Sequence, residues 1–389
     1  MQNNMIGVHG LPNQATAGLP QFIRPEPVVQ PRPNPNPKGM ADNGAVNYYG
    51  DYGGCGWWRM HLPETMINFS KRGMINSLHK LIPDANFYRD VKCVRLQRQA
   101  SPVCAKFFKG LRKASDEMGF KMVYEIDDIV FKDDIPDFNK AKCAFDTDET
   151  LEAILSMMND CHELTVTCPF MKDYYAEKLN HDNIRVIPNM PSKTWFDGYY
   201  TSQKVMTDYN NFKDRPRVLY AGSGNHFDVE GKGRDDDFTH VVDHIIKSRK
   251  DFKWVFLGSM PHQLNPYVKT GDMEFHKWSS VPDYPRKIHD LHVNAVVAPL
   301  MDCTFNKAKS NIKYLESACL GIPGVFQDLV TYKDAPIRFS DGSDMIRKLT
   351  KLLENRQHYV KMSKQARNYA DGMWLDDNID MYTDMYFGG

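Results

Sequence analysis

Hydrophobic positions along the chain fall into short apolar runs that alternate with segments of helical spacing. Residues 102–118, PVCAKFFKGLRKASDEM, carry apolar side chains at helical intervals and predict a helix. KMVYEI at 121–126 is an apolar run of buried-strand length. A helix at 149–160 precedes LTVT at 164–167, a second strand. Pro169 suits the first turn of a helix running to about Leu179. IRVI at 184–187 predicts a strand ended by Pro188, and the polar, aromatic stretch 196–216 reads as a linker. The alternation then resumes. RVLYAGS at 217–223 is a strand entering a glycine-rich turn, followed by a helix at 237–249 and the strand KWVFLG at 253–258. A helix near 282–291 leads to the strand NAVVAPL at 294–300. SNIKYLESACLG at 310–321 reads as a helix closed by Gly321, PGVF at 323–326 as a strand, and 344–386 as helical with a break near Gly372.

Alternating strands and helices imply an α/β chain with mostly parallel sheets covered on both faces. Two such blocks meet near residue 200, which predicts two doubly wound domains facing each other across a cleft. Ligands of such sheets sit beyond the carboxyl ends of the strands. The expected organisation is a proline-rich arm over 1–44, a first domain over 45–200, a second over 201–372, and a C-terminal helix over 373–389 that packs back on the first domain. In the arm, Pro31, Pro33, Pro35 and Pro37 alternate with other residues, a pattern that excludes helix and central strand. A length of 389 residues accommodates two domains.

Lys plus Arg number 49 and Asp plus Glu 49, so the chain does not coat a polyanion by bulk charge. No run of 18 apolar residues exists, and no membrane insertion is expected. The first residues lack the basic flank and apolar core of a secretory signal. The eight cysteines form no C-x-x-C pair and read as reduced thiols of a cytoplasmic protein. No histidine spacing suggests a metal site, so none is expected.

The segment FNKAKSNIKYLESACLGIP, 305–323, carries the most chemistry. Ser310 and Asn311 are N-cap residue types, and Lys307, Lys309 and Lys313 add three positive charges beside the free amides of a helix start. That combination suits a diphosphate. Glu316, one turn beyond Lys313, suits the two hydroxyls of a ribose. An amphipathic helix with a solvated lysine face fits the same spacing. Three further stretches stand out. In GDYGGCGWWRM, Gly50, Gly53, Gly54 and Gly56 allow left-handed backbone and close approach to a ligand. Trp57 and Trp58 offer stacking surfaces and Arg59 a phosphate contact; a tight turn over buried tryptophans is the alternative. Asp127 and Asp128 follow a buried strand, where one carboxylate could orient or deprotonate an acceptor hydroxyl or simply cap a turn. Gly222, Ser223 and His226 lie in the turn GSGNHFD, suited to phosphate or sugar contact.

The helix K-S-N-I-K-Y-L-E-S-A-C-L-G-I-P resembles the donor-binding signature K-S-x-x-K-x-x-E-x-x-x-x-G-x-P of GT-B glycosyltransferases, specifically the large retaining group called family 4. VLYAGSGNHFD at 218–228, HELTVTCPFMKDYYAEKL with NIRVIPNM, KWVFLG and NAVVAPL follow in the family's order, over roughly 45–387. The resemblance implies a GT-B architecture of two Rossmann-like domains. It also implies a nucleotide-sugar donor, UDP-linked, held without a metal or other cofactor by the second domain. Glu316 would take the ribose. The backbone at Ser310 and Asn311, with Lys309 and Lys313, would take the diphosphate, and the Gly53–Arg59 loop would face the donor from the acceptor side. Two positions depart from the family pattern. Ala308 stands where an acid commonly contacts the sugar, and AGSGNHFDVEGKGR replaces a G-R-x-x-x-x-K-G loop, with Lys232 or Arg234 as substitutes.

Eight basic residues against the single acid Asp90 over 86–115 suggest a basic face that includes Arg95, Arg98 and Lys109. With the compact acceptor domain, which looks like phage-encoded members of the group, this favours double-stranded DNA bearing 5-hydroxymethyl-pyrimidine as acceptor. A surface polysaccharide, glycolipid or protein acceptor is the main alternative. A sugar-binding module without catalysis and a nucleotide-sugar epimerase of similar fold are rivals from other classes.

Overall fold

The computed structural model describes residues 44–145 and 147–388, so the arm expected over 1–44 lies outside the described residues except for Gly44. Among the described residues twelve strands form two sheets of six. The first contains β1 (Ala45–Tyr48), β2 (Ile75–Leu78), β3 (Cys93–Gln97), β4 (Lys121–Glu125), β5 (Glu163–Val166) and β6 (Ile184–Val186). The second contains β7 (Arg217–Gly222), β8 (Lys253–Gly258), β9 (Glu274–His276), β10 (Ala295–Ala298), β11 (Gly324–Gln327) and β12 (Arg338–Phe339). Every pairing is parallel.

The first sheet runs β2-β1-β3-β4-β5-β6, and the second runs β12-β11-β10-β7-β8-β9. Each order reverses once, between β1 and β3 and between β7 and β10. Connections leave such neighbours on opposite faces, opening a crevice at their carboxyl ends. The strands are buried on both faces because helices cover both sides; β1, β3, β5, β10 and β11 are buried along their whole length. Local signals place the helices well. Pro102–Met118 begins where the Ser101 hydroxyl accepts from the Cys104 amide at 3.2 Å, with proline in its first turn.

Four expected boundaries change. The linker 196–216 holds the helix Ser202–Asn211, capped by Thr201, whose hydroxyl accepts from the Lys204 amide at 3.0 Å. Its apolar buried face is Val205 and Tyr209 alone, too narrow a stripe to read against polar neighbours. The helix expected at 237–249 is reduced to Val242–Lys247. The Asp236 side chain takes the amides of Asp228 and Phe238 and holds the preceding segment in turns. The signature helix runs only over Ile312–Cys319. The 344–386 region is four helices, Gly342–Glu354, Arg356–Asp371, Leu375–Asn378 and Asp380–Phe387. Asn355, in an extended conformation, breaks the first pair and caps the second helix by accepting from the His358 amide at 2.9 Å.

Beyond Gly372 the chain returns to the first sheet. The Tyr386 hydroxyl donates to Asn47 Oδ1 on β1 at 2.8 Å and accepts from Arg95 Nη1 on β3 at 3.2 Å. Tyr382, Met385 and Tyr386 are all buried there.

Candidate functional site

The carboxyl ends of β7 and β10 meet the signature helix at the second sheet's reversal point. Lys313 Nζ donates to the Ala221 carbonyl at 2.7 Å, at the end of β7, and stands 5.1 Å over the Tyr220 ring. One turn on, Glu316 accepts from the Tyr284 hydroxyl at 2.8 Å. Burial pushes the Lys313 ammonium down to about 8, against the pull of Glu316. Burial likewise pushes the Glu316 carboxyl up to about 7, against Lys313 and Tyr284. Asn311 is the N-cap residue, but its side chain donates to the Tyr369 hydroxyl at 2.6 Å and makes no cap bond. The Tyr314 amide donates to the Asn311 carbonyl at 2.9 Å, which leaves the Ile312 and Lys313 amides to another acceptor.

His226 lies in the turn after β7, with Nδ1 2.6 Å from Asp237 Oδ2. Asp237 also accepts from Asn306 Nδ2 at 2.6 Å and the Met301 amide at 2.8 Å, which fixes it beneath the loop after β10. Burial, then repulsion from Lys313, pushes the imidazole down to about 4, against Asp237. His226 is thus neutral at pH 7; with Nδ1–H on the carboxylate, Nε2 is left as an acceptor. Gly222 is buried and Ser223 exposed in the same turn, where the Ser223 hydroxyl accepts from the Asn225 amide at 3.4 Å. At the neighbouring strand end, Gly258 has φ +96°, and a Cβ there would lie 2.2 Å from the Trp278 ring. Only glycine permits that approach. Trp278 is 46% exposed and stacks on Tyr284 with centroids 5.4 Å apart.

The first sheet supplies the facing wall. Asp127 and Asp128 follow β4. Arg98, just past β3, lies 3.1 Å from Asp127 Oδ1 and 3.4 Å from Asp128 Oδ2. Arg98 sits at φ +50°, a conformation that costs a non-glycine residue roughly 1–3 kcal/mol. Lys309 Nζ reaches across to Asp128 Oδ1 at 3.9 Å, and Asn189 Nδ2 donates to Ser310 Oγ at 2.9 Å. Burial raises the Asp128 carboxyl above its ordinary value, against Lys309 and Arg98. Asp128 and the two cations thus share one electrostatic environment.

No family model matches the chain, and no curated protein matches it. Solved structures do. An alpha-glucosyltransferase in complex with UDP and a 13-mer DNA containing an HMU base superposes with a TM-score of 0.55 at 13% identity. That match covers 88% of this chain and 100% of the other. The chain has the GT-B fold. S. aureus TarM, in complex with Fondaparinux, alpha-GlcNAc-glycerol and UDP, superposes with a TM-score of 0.50 at 12% identity over 77% of this chain. The chain spans about half the length of TarM, 56% of it. The GT-B architecture expected from the sequence, two α/β sheets each wound on both faces, is the one observed.

Within this GT-B frame, Lys309, Ser310, Asn311, Lys313, Glu316, Gly222, Ser223, His226, Asp127 and Asp128 come together, whereas several acceptor-side expectations do not survive. Arg59 has 0% exposure and pairs with Glu125 Oε1 at 2.6 Å, donating also to the Ile187 carbonyl at 2.6 Å; it has no path to a phosphate. Trp58 is buried edge-on against Trp195, and Trp57 packs on His61 and Trp195. Gly50, Gly53, Gly54 and Gly56 are not in left-handed conformation. Gly56 is needed for packing, since a Cβ would lie 2.0 Å from the Asp51 carbonyl. The Gly53 and Gly56 amides are taken by Asp51 Oδ1 at 2.7 and 3.2 Å.

The three residues singled out for the basic face do not come together. Arg95 has 0% exposure and is ion-paired with Glu125, Arg98 lines the cleft, and Lys109 is an exposed residue of the Pro102–Met118 helix. These three share no surface, whereas Arg89, Lys92, Lys106 and Lys113 of the same stretch are exposed. Ala308 is 1% exposed and, with Phe305, packs into the first lobe's core. Its carbonyl accepts from Cys168 Sγ at 3.3 Å. Arg234 is held by Asp228 at 2.6 Å and Glu230 at 2.9 Å, and Lys232 by Glu230 at 2.9 Å.

Sequence reading missed Tyr284, Asp237, Asn189 and Trp278. Asp237 is one of three consecutive acids, 235–237, with nothing local to single it out. Trp278, two residues past β9 and so near a strand's carboxyl end, was the legible one. Among the described residues no cluster of three or more His, Cys, Asp or Glu side chains is arranged to hold a metal, and no helix is long and apolar enough to cross a membrane.

Proposed function

We propose that this protein is a glycosyltransferase moving a sugar, a UDP-linked hexose, from a nucleotide-sugar donor to an acceptor hydroxyl. The observation that carries the reading is the convergence of Lys309, Lys313, uncapped helix amides and Glu316 at the reversal point of the second sheet, opposite Asp128. Glu316 takes the ribose hydroxyls, and Trp278 offers the base a stacking surface. Lys309 and Lys313 with the amides after Ser310 and Asn311 hold the diphosphate. In transfer the bond from the anomeric carbon to the diphosphate oxygen breaks, and the bond from that carbon to the acceptor oxygen forms. The acceptor proton leaves on the diphosphate or on Asp128, whose raised carboxyl suits it to accept one. Lys309 and Lys313 offset the charge growing on the leaving diphosphate. Retention of configuration by front-face attack, as in family 4, is part of the proposal, as is independence from metal ions.

The favoured acceptor is the hydroxymethyl group of a modified pyrimidine in DNA. The likeness to a glucosyltransferase bound to UDP and HMU-containing DNA, which the chain covers along its full length, supports it. A polyol or glycan acceptor is the second reading, supported by the likeness to TarM in complex with alpha-GlcNAc-glycerol.

The test is incubation with a panel of nucleotide sugars and both acceptor types, with mass spectrometry of the acceptors and the proton spectrum of the new anomeric centre. One added hexose on hydroxymethylated DNA, undiminished in excess chelator, is expected. Modification of glycan alone promotes the second reading. Loss in chelator with rescue by magnesium or manganese refutes the metal-free diphosphate site. An isomerised nucleotide sugar with no glycoside replaces transfer with epimerisation, and binding without turnover of any kind leaves a sugar-binding module.

A further inference from the structure

The loops that carry Asp128 and His226 do not end at the cleft. Past Asp128 the chain passes through buried Ile129 and Val130 and emerges at Lys132, and the segment to Cys143 forms one wall of a groove. Past His226 it passes through buried Phe227 and Asp228 to the exposed turn VEGKGR, which forms the other wall. The two walls are joined where Arg234 Nη1 donates to the Asp137 carbonyl at 2.7 Å. The groove encloses about 290 Å³. Its lining holds five cations, Lys132, Lys140 and Lys142 from one lobe with Lys232 and Arg234 from the other. Three carboxylates accompany them, Asp137 beside Lys142 at 2.6 Å, Glu230 beside Lys232 at 2.9 Å and Asp228 beside Arg234 at 2.6 Å, so cations outnumber carboxylates five to three in a protein of zero formal charge. Gly231 and Gly233, at φ +66° and +74°, flank Lys232 and hold it outward, 65% exposed on its side chain.

We infer that this inter-lobe groove binds the phosphodiester backbone of the acceptor strand and aligns it with Asp128. The inference rests on the reading of DNA as acceptor. Lys132 lies four positions past Asp128, a chain reach of at most about 14 Å. Successive phosphates of one strand rise about 3.4 Å along a duplex, so the groove contacts phosphates within a few nucleotides of the target base. Phe138 and Asn139 of the lining are buried, so the groove offers a ligand mainly ammonium and guanidinium groups, which grip backbone and leave sequence unread. The local charge excess gives a chain with no net charge a place for DNA contact beside the cleft.

The test compares Lys140→Glu/Lys232→Glu with the wild type and with Lys361→Glu/Lys364→Glu, a charge-matched pair exposed on the Arg356–Asp371 helix. Binding to a fluorescent duplex containing one 5-hydroxymethyluracil is followed by anisotropy across a salt series, and UDP binding by calorimetry. The expected result is at least tenfold weaker DNA binding for the groove variant. Its log–log salt slope should be shallower by about 1.8, since each phosphate contact contributes about 0.9. UDP affinity should not change, and the control pair should match the wild type. If the wild type binds the duplex and the groove variant binds it equally well with the same slope, the groove assignment is overturned while DNA remains the acceptor. If the wild type binds no duplex at low salt, both the groove assignment and the DNA reading fall.

Discussion

Glu316 and Lys313 show how burial changes ordinary side chains at the proposed donor site. The Glu316 carboxyl rises to about 7 and the Lys313 ammonium falls to about 8, each mainly through desolvation. A ribose needs the carboxylate and a diphosphate needs the ammonium. Nucleotide affinity should therefore fall below pH 7 as Glu316 protonates, and above pH 8 as Lys313 loses its proton. Calorimetric titration with UDP from pH 6 to 9 is expected to give an optimum between these values. Flat affinity across the range would exclude Glu316 and Lys313 as ligands. Glu316→Gln should weaken UDP by about 1.5–3 kcal/mol, the scale of a hydrogen bond to a charged group, and remove the acid limb of the profile while leaving the melting temperature close to wild type. The identity of these residues was legible in the K-S-x-x-K-x-x-E spacing. Their shifted ionisation was not, because it comes from burial, which segments distant in the chain impose.

The strand β4 shows the same division along one element. Its apolar run announced a buried strand. Its last residue, Glu125, is the one acid within the run KMVYEI. It is the centre of a buried network, paired with Arg59 and Arg95 and accepting from Thr165 on β5. Burial alone would raise its carboxyl; the two arginines outweigh that and hold it below the ordinary value. A depressed folded value means that the stabilisation is present above about pH 4.5 and is lost as the solution is acidified. Glu125→Gln strands two buried guanidinium groups and should cost about 3–5 kcal/mol, read as a lower urea midpoint at pH 7, with the gap to wild type narrowing in acid. A gap that persists unchanged at pH 3 would argue against the ionised pair. Arg59 and Arg95 were read as a phosphate ligand and a DNA-facing residue because a basic residue beside glycines or in a charged stretch is most often exposed. Only Glu125, 66 and 30 positions away, makes their burial tolerable.

Across the lobes, the C-terminal helix Asp380–Phe387 ties the chain's end to the first sheet through Tyr386. Tyr386→Phe removes one donor to Asn47 and one acceptor for Arg95, all buried. A loss of about 1–3 kcal/mol is expected, seen as a lower thermal midpoint with UDP affinity unchanged, because the proposed nucleotide site belongs to the other sheet. A thermal midpoint equal to wild type would mean the latch carries no stability. The alternation of apolar runs and amphipathic segments was enough to announce an α/β chain wound on both faces, since buried parallel strands and their covering helices each leave a local signature. The signature helix, with its lysines and glutamate, was equally local. Which basic residues reach solvent, which glycines serve packing, and where an acceptor can lie were decided by contacts between segments tens to hundreds of residues apart. Arg95 and Lys140 are the same kind of residue on paper, a cation amid other residues. One is enclosed by a strand pair, a carboxylate and the returning C-terminus, and the other stands at the rim where two lobes meet. Burial, pairing and ionisation depend on that surrounding volume, and no pattern along the chain encodes it.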